Sequence, residues 1–156
     1  MQIEARIVEL GYQLPPPFVY PSPNRRGTVR VGDLLFASGH PPSEQHGVPL
    51  RGKVGSDLTE EVAYAAARSC ALNILASVKE AIGDLDRVRQ VVKVTGYVNT
   101  APGFERQFAV IDGASDLFLA LWGEQGSHTR SAVGVFELPR GFPVEVEAVF
   151  ALTPGD

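Results

Sequence analysis

The sequence predicts an α+β fold, a mixed β-sheet with two long helices packed on one face. Three observations predict it. Two stretches repeat apolar residues at helical spacing, and each is closed by a glycine. Runs rich in β-branched residues flank both stretches. The closing segment 143–152 divides between two faces, with Val144, Val146, Ala148 and Phe150 on one and Glu145, Glu147, Val149 and Ala151 on the other. The order is (α)ββαβαββ in one domain over 1–156, with a short N-terminal helix and a proline-rich arm at 1–27.

Each element has its own warrant. Ile3, Ile7 and Leu10 recur at helical spacing before Gly11. The stretch LPPPFVYPSP (14–23) holds five prolines and reads as an extended surface arm. Residues 30–39 read as a hairpin turning at Gly32-Asp33, and its apolar second strand, 34–37, is expected to be buried on both faces. A polar loop over 40–56 follows. Asp57 or Thr59 caps the first long helix, with Glu60 and Glu61 at its positive end. Its stripe is Ala71, Ile74, Leu75, Val78 and Ile82; Ser69, Asn73, Ser77 and Glu80 form a polar face, and Gly83 ends it. A strand covers 91–99. Phe104, Phe108, Ile111, Phe118 and Trp122 mark the second helix, stopped by Gly123, in which Gly113 signals close packing or a kink. Strands at about 129–137 and 143–152 read as a hairpin through the Pro/Gly turn at 138–143.

The bulk numbers narrow the function classes. At 156 residues with 44% apolar and 21% charged residues, the chain has the composition of an ordinary globular protein. A net charge of −4 gives no basic stripe for nucleic acid, and Arg25, Arg26 and Arg30 are too few for a phosphate track. The lone Cys70 excludes an intrachain disulfide and any multi-cysteine metal site, and its helical setting reads as a small buried hydrophobe. The histidines, His40, His46 and His128, fall in expected loops without metal-ligand spacing, and neither metal nor cofactor is expected. No segment reaches the roughly 20 apolar residues of a membrane span, and the glutamates among the first residues are unlike a signal peptide. A reducing cytosol is the expected location. With helices on one side only, the other side keeps Val149, Ala151, Ala132 and Phe136, and self-association is expected to cover it.

The chemistry-bearing pattern lies in HTRSAVGVFELPRGFPVEVE (128–147). Arg130 opens one strand, and an arginine fork binds a carboxylate through two parallel hydrogen bonds. Glu145, fifteen residues later, is a carboxylate able to activate a water. By pattern alone the blander reading, a cationic strand end and two solvated strand glutamates, is the more common one.

VGDLLFASGH (31–40), RSAVGV (130–135) and LP followed by VEVEA (138–148) resemble the YjgF family, also called the Rid or reactive intermediate deaminase family, whose older label is endoribonuclease L-PSP. GKVGSDLT, CALNIL, VVKVTGYVN and DGASDLF, spread over 52–118, resemble one branch of it. The resemblance implies a chorismate-mutase-like fold and a homotrimer with clefts between subunits. It implies hydrolysis of 2-enamine and 2-imine acids to 2-keto acids and ammonia. The family's carboxylate-binding arginine falls on Arg130 and its water-associated glutamate on Glu145, while its cleft-shaping serine and glycine fall on Ser38 and Gly39. Three positions depart: a cysteine acting through its backbone is Ala132, a tyrosine of the arm is Arg25, and an asparagine of the second helix is Asp112. A new aspartate repels an acid substrate unless it is paired, and Arg25 is the partner weighed for it.

The expected chemistry has Arg130 holding a small substrate's carboxylate while Glu145 takes a proton from the attacking water. The alternative is a trimeric carboxylate-binding or regulatory protein without turnover. The acidic charge argues against a ribonuclease and against nucleic-acid partners in general. If 129–137 and 143–152 pair as a hairpin turning near Arg140-Gly141, Arg130 and Glu145 stand about six residues, or roughly 20 Å, apart. Each site would then take Arg130 from one subunit and Glu145 from its neighbour.

Overall fold

The computed structural model describes residues 2–155. Helix α1 (Gln2–Glu9) precedes the extended arm, and strands β1 (Thr28–Val31) and β2 (Leu34–His40) form the expected hairpin. Helix α2 (Glu60–Ile82), strand β3 (Val88–Asn99), helix α3 (Gln107–Trp122), strand β4 (Thr129–Val135) and strand β5 (Val144–Leu152) complete the chain. The cap of α2 is Thr59, whose hydroxyl accepts from the Val62 N–H at 3.3 Å. No helix of the described residues is long and apolar enough to cross a membrane.

The sheet is mixed and five-stranded, in the order β1-β2-β5-β3-β4. The predicted hairpin of the last two strands does not form. β4 instead pairs parallel with β3, and β5 runs antiparallel between β2 and β3. Helix α3 is the crossover joining two parallel neighbours, and β5 carries the most apolar helix-side face, so it takes the centre of the sheet.

Both long helices cover one face of the sheet. Val144, Val146, Ala148 and Phe150 lie under them, almost inaccessible, with Val91, Val94 and Val98 of β3. The two helices cross closely at Gly113. A Cβ there would come within 2.0 Å of the Tyr64 carbonyl oxygen of α2, so close packing is what the glycine serves.

Two burial expectations are corrected. Strand β2 is not buried on both faces: Leu35 and Ala37 are buried, but Leu34 and Phe36 stay exposed on the sheet's open face. The expected polar face of α2 is also buried at Ser69, Asn73 and Ser77. The segment after β2 folds back over that face and supplies partners. Ser69 Oγ accepts from the Ser43 N–H at 2.8 Å, and Asn73 Nδ2 donates to the Pro41 carbonyl at 3.0 Å. His40, expected in a loop, ends β2 fully buried and accepts the Ser77 hydroxyl at Nε2, 2.8 Å away.

Candidate functional site

The residues predicted for the site fall into two groups. Arg130 lies level with Val94 of β3, which lies level with Ala148 of β5. Val94 and Ala148 are buried beneath the helices, and Arg130 bonds to α3, so its side chain is on the helix side. Ala132 shares that face and packs against the core, contrary to its expected place on the open face. Glu145 lies level with Tyr97 and projects from the opposite face, with Glu147.

Around Arg130 the guanidinium is held from several sides. Its Nη1 donates to Asp112 Oδ1 at 2.7 Å and to Ser115 Oγ at 3.1 Å, and its Nη2 donates to the Phe108 carbonyl at 3.3 Å. Asp112, Ser115 and Phe108 sit at successive turns of α3, so one helix face builds the cradle. Asp112 is therefore paired, but with Arg130 rather than with Arg25. The Ser115 hydroxyl donates onward to His128 Nε2 at 2.9 Å, and His128 Nδ1–H donates to the Gly126 carbonyl at 2.6 Å. Burial lowers the His128 pKa, opposed by the Gly126 carbonyl and assisted by Arg130, so the ring is a neutral acceptor. Ser115, Asp116, Ser127, His128 and Arg130 line an open depression of about 250 Å³.

The second group forms where β2 and β5 slip register. Ala37 pairs with Ala148, but His40 pairs with Val146, so Ser38 and Gly39 bulge from the ladder. The bulge places Gly39 against Glu145. An added Cβ at Gly39 would lie 2.9 Å from Glu145 Cδ, so only a glycine leaves the carboxyl its place. Glu145 is half-buried, and burial, followed by repulsion from Glu147, raises its pKa above the ordinary carboxylate value. Glu147 meanwhile accepts the Tyr97 hydroxyl at 2.9 Å.

The proline-rich arm completes this group with residues that sequence reasoning missed. The Tyr20 hydroxyl donates to the Gly39 carbonyl at 2.8 Å, and its ring stands edge-on to His40. Burial pushes the Tyr20 phenol up to about 12, with Ser38 and Arg25 opposing and Glu145 adding to the rise. Arg25 thus lies within electrostatic range of Tyr20, and its own hydrogen bond is to Asn24 Oδ1 at 3.2 Å. Ser38 Oγ donates to the Arg26 carbonyl, tying the arm to the bulge. His40 Nδ1–H donates to the Ser38 carbonyl at 2.6 Å. The signals available were the aromatic pair Phe18 and Tyr20 among prolines, and a histidine directly after Ser38-Gly39.

Next to this group the open sheet face forms a hollow of about 370 Å³ lined by Val29, Phe36, Lys93, Thr95, Glu147 and Val149. Among the described residues, one acidic cluster has ligand spacing for a metal: Glu4, Asp84 and Asp86. It belongs to neither group and caps backbone amides, Asp86 accepting from the Gln2 and Ile3 N–H groups.

Comparison with known proteins gives a consistent neighbourhood. The profile of the YjgF/chorismate mutase-like family, which carries the endoribonuclease label, matches residues 4–140. Protein TCP17 of Trypanosoma cruzi is 42% identical over 152 residues, 97% of this chain and 94% of that protein. A crystal structure of an Agrobacterium tumefaciens protein of unknown function superposes with a TM-score of 0.87 at 41% identity, covering 97% of this chain and 92% of the other. A Shewanella oneidensis structure bearing the endoribonuclease label reaches a TM-score of 0.91 at 32% identity over 97% of this chain and 100% of its own.

Proposed function

Because the chain belongs to the YjgF/chorismate mutase-like family, we propose that it hydrolyses 2-enamine and 2-imine acids to 2-keto acids and ammonia in clefts between the subunits of a homotrimer. The observation that carries this reading is Glu145, a half-buried carboxylate with a raised pKa, given room by Gly39 at a bulge. A carboxylate so placed is a better base than a solvated one. The open sheet face, with Val29, Phe36 and Val149 exposed or half-exposed, is the surface a second and third copy would cover. Packing of that kind would bring Arg130 of one subunit toward Glu145 of the next.

In the reaction, Arg130 binds the substrate carboxylate. Water attacks C2, its proton passes to Glu145, and the electron pair of the C=N bond moves to nitrogen. Glu145 returns that proton to the nitrogen, giving the carbinolamine. As its C–N bond breaks, the hydroxyl proton passes to the departing nitrogen, so ammonia leaves and the keto acid remains. Imines hydrolyse readily, so positioning and one base are sufficient. No cofactor enters these steps. The setting fits a reducing cytosol, with Cys70 buried as a free thiol.

The test generates 2-iminobutyrate with a threonine dehydratase and follows ammonia and 2-oxobutyrate release. Acceleration that is lost in Glu145→Gln supports the reading, and a rate equal to the uncatalysed one contradicts it. A second reading, a ligand-binding trimer without turnover, is favoured by one observation: Asp112 already neutralises Arg130.

A further inference from the structure

The Arg130–Asp112 pair carries a consequence for which acids dock. Asp112 Oδ1 is 2.7 Å from Arg130 Nη1, and the Asp112 side chain remains 45% accessible against 22% for Arg130. The carboxylate is therefore a partly open group beside the guanidinium. Asp116 lines the same depression as Arg130, and its Oδ2 accepts the Tyr64 hydroxyl at 2.7 Å. The remaining titratable group there, His128, has its ring nitrogens committed to Ser115 and Gly126 and is neutral. Asp112 is thus paired with the cation, and Asp116 adds a second carboxylate to the lining of the neighbouring depression.

A simple monoanion entering this place competes with Asp112 for Arg130 and leaves two negative charges sharing one positive charge, with Asp116 in the lining nearby. Like charges in a partly desolvated site disfavour one another. A ligand that brings a cation beside its own carboxylate avoids that penalty. We propose that Asp112 makes this half-site selective for zwitterions: acids whose carboxylate meets Arg130 while a protonated nitrogen on the neighbouring carbon donates to Asp112. This inference rests on the reading that small acids dock at Arg130, and it names their class as protonated 2-iminium acids and 2-amino acids. The adjacency matches: in such ligands the two charges sit on neighbouring carbons, as the guanidinium and carboxylate sit side by side in the protein. A protonated imine is also the more electrophilic form at C2, so Asp112 would favour the form that water attacks.

The experiment is calorimetric titration of the full-length protein with L-2-aminobutyrate and with 2-hydroxybutyrate, which share a skeleton but differ in the cationic nitrogen. Wild type is expected to bind the amino acid at least about tenfold more tightly. In the isosteric Asp112→Asn variant the ratio should fall to within about twofold or reverse, because the hydroxy acid gains. Asp112→Ser, also small and polar, should behave alike, and circular dichroism verifies the fold of both. Equal or tighter binding of the hydroxy acid by wild type would overturn the proposal. So would an unchanged ratio in Asp112→Asn, or failure of wild type to bind either compound. The deaminase reading fails separately: imine turnover without zwitterion preference sinks the selectivity alone, and preference without turnover sinks the deaminase alone.

Discussion

Arg130 and Glu145 lie on opposite faces of one sheet. β3 separates their strands, so two strand spacings, about 10 Å, lie between them laterally. Arg130 is level with Ala148, three residues beyond Glu145, which adds roughly 10 Å along the strand. The separation is shorter than the hairpin register implied, but the change of face is the stronger barrier. Neither side chain reaches the other around a sheet packed with Val94, Val146 and Ala148. A site using both draws them from different copies of the chain.

Gly39→Ala should abolish turnover at modest cost in stability. The new methyl would come within 2.9 Å of Glu145 Cδ, and the carboxyl, being half-exposed, can swing away rather than unfold the bulge. Steady-state kinetics with in situ imine, alongside urea denaturation, separates the two effects. Wild-type kcat in this variant would show that the position of Glu145 is irrelevant.

At Arg130 the two-pronged geometry matters as much as the charge. Arg130→Lys should recover little of the activity lost in Arg130→Ala, since a compact ammonium lacks the planar fork whose two nitrogens reach Asp112, Ser115 and the Phe108 carbonyl. Light scattering should give the same mass for all three proteins, about three times 16.8 kDa. Full activity in the lysine variant would reduce Arg130 to a point charge.

Glu145 should trade stability for activity. Its folded-state pKa is raised, so its contribution is full at pH below the ordinary value and is lost as pH rises through the folded value. Above that window the charged form is penalised. Glu145→Gln should therefore be inactive yet slightly more stable near pH 7.5, by less than about 1 kcal/mol because the group is half-exposed and screened. Thermal unfolding at pH 4 and pH 7.5 checks it: the variant's advantage should appear only at the higher pH.

His40 acts in the opposite direction. Its folded-state pKa is depressed from 6.5 to about 4, first by burial, with the Ser38 carbonyl opposing. Its contribution is present above pH 6.5 and is lost as pH falls through about 4. The full loss is roughly 3 kcal/mol. Urea titrations between pH 7 and pH 5 should show stability falling in wild type and much less in His40→Gln, whose baseline is lower. Parallel slopes would mean that His40 titrates alike in the folded and unfolded states.

Much of this architecture was legible in the residues. Periodicity located both long helices and the closing strands, and Thr59, Gly83 and Gly123 marked helix ends. Strand neighbours were not legible, because a six-residue Pro/Gly connection reads as a turn whether its strands pair or part. The face of Arg130 was hidden for the same reason, since β4 alternates too weakly to reveal its buried side. Ser69, Asn73 and Ser77 looked solvated because their partners, Ser43, Pro41 and His40, come from a distant segment. Tyr20 was concealed in an arm without regular structure, where only the tertiary contact with Gly39 gives it meaning.

The central claim, a site shared between subunits, is tested most directly by mixing two inactive variants. Arg130→Ala and Glu145→Gln would be co-expressed so that trimers assemble from both chains, and turnover of 2-iminobutyrate compared with each variant alone. In a shared site every mixed trimer holds one cleft with an intact Arg130 from one chain and an intact Glu145 from the other. About three-quarters of random trimers are mixed, so about a quarter of wild-type turnover should return. If the mixture is as inactive as its components while forming mixed trimers, the two residues do not cooperate across an interface, and the account is contradicted.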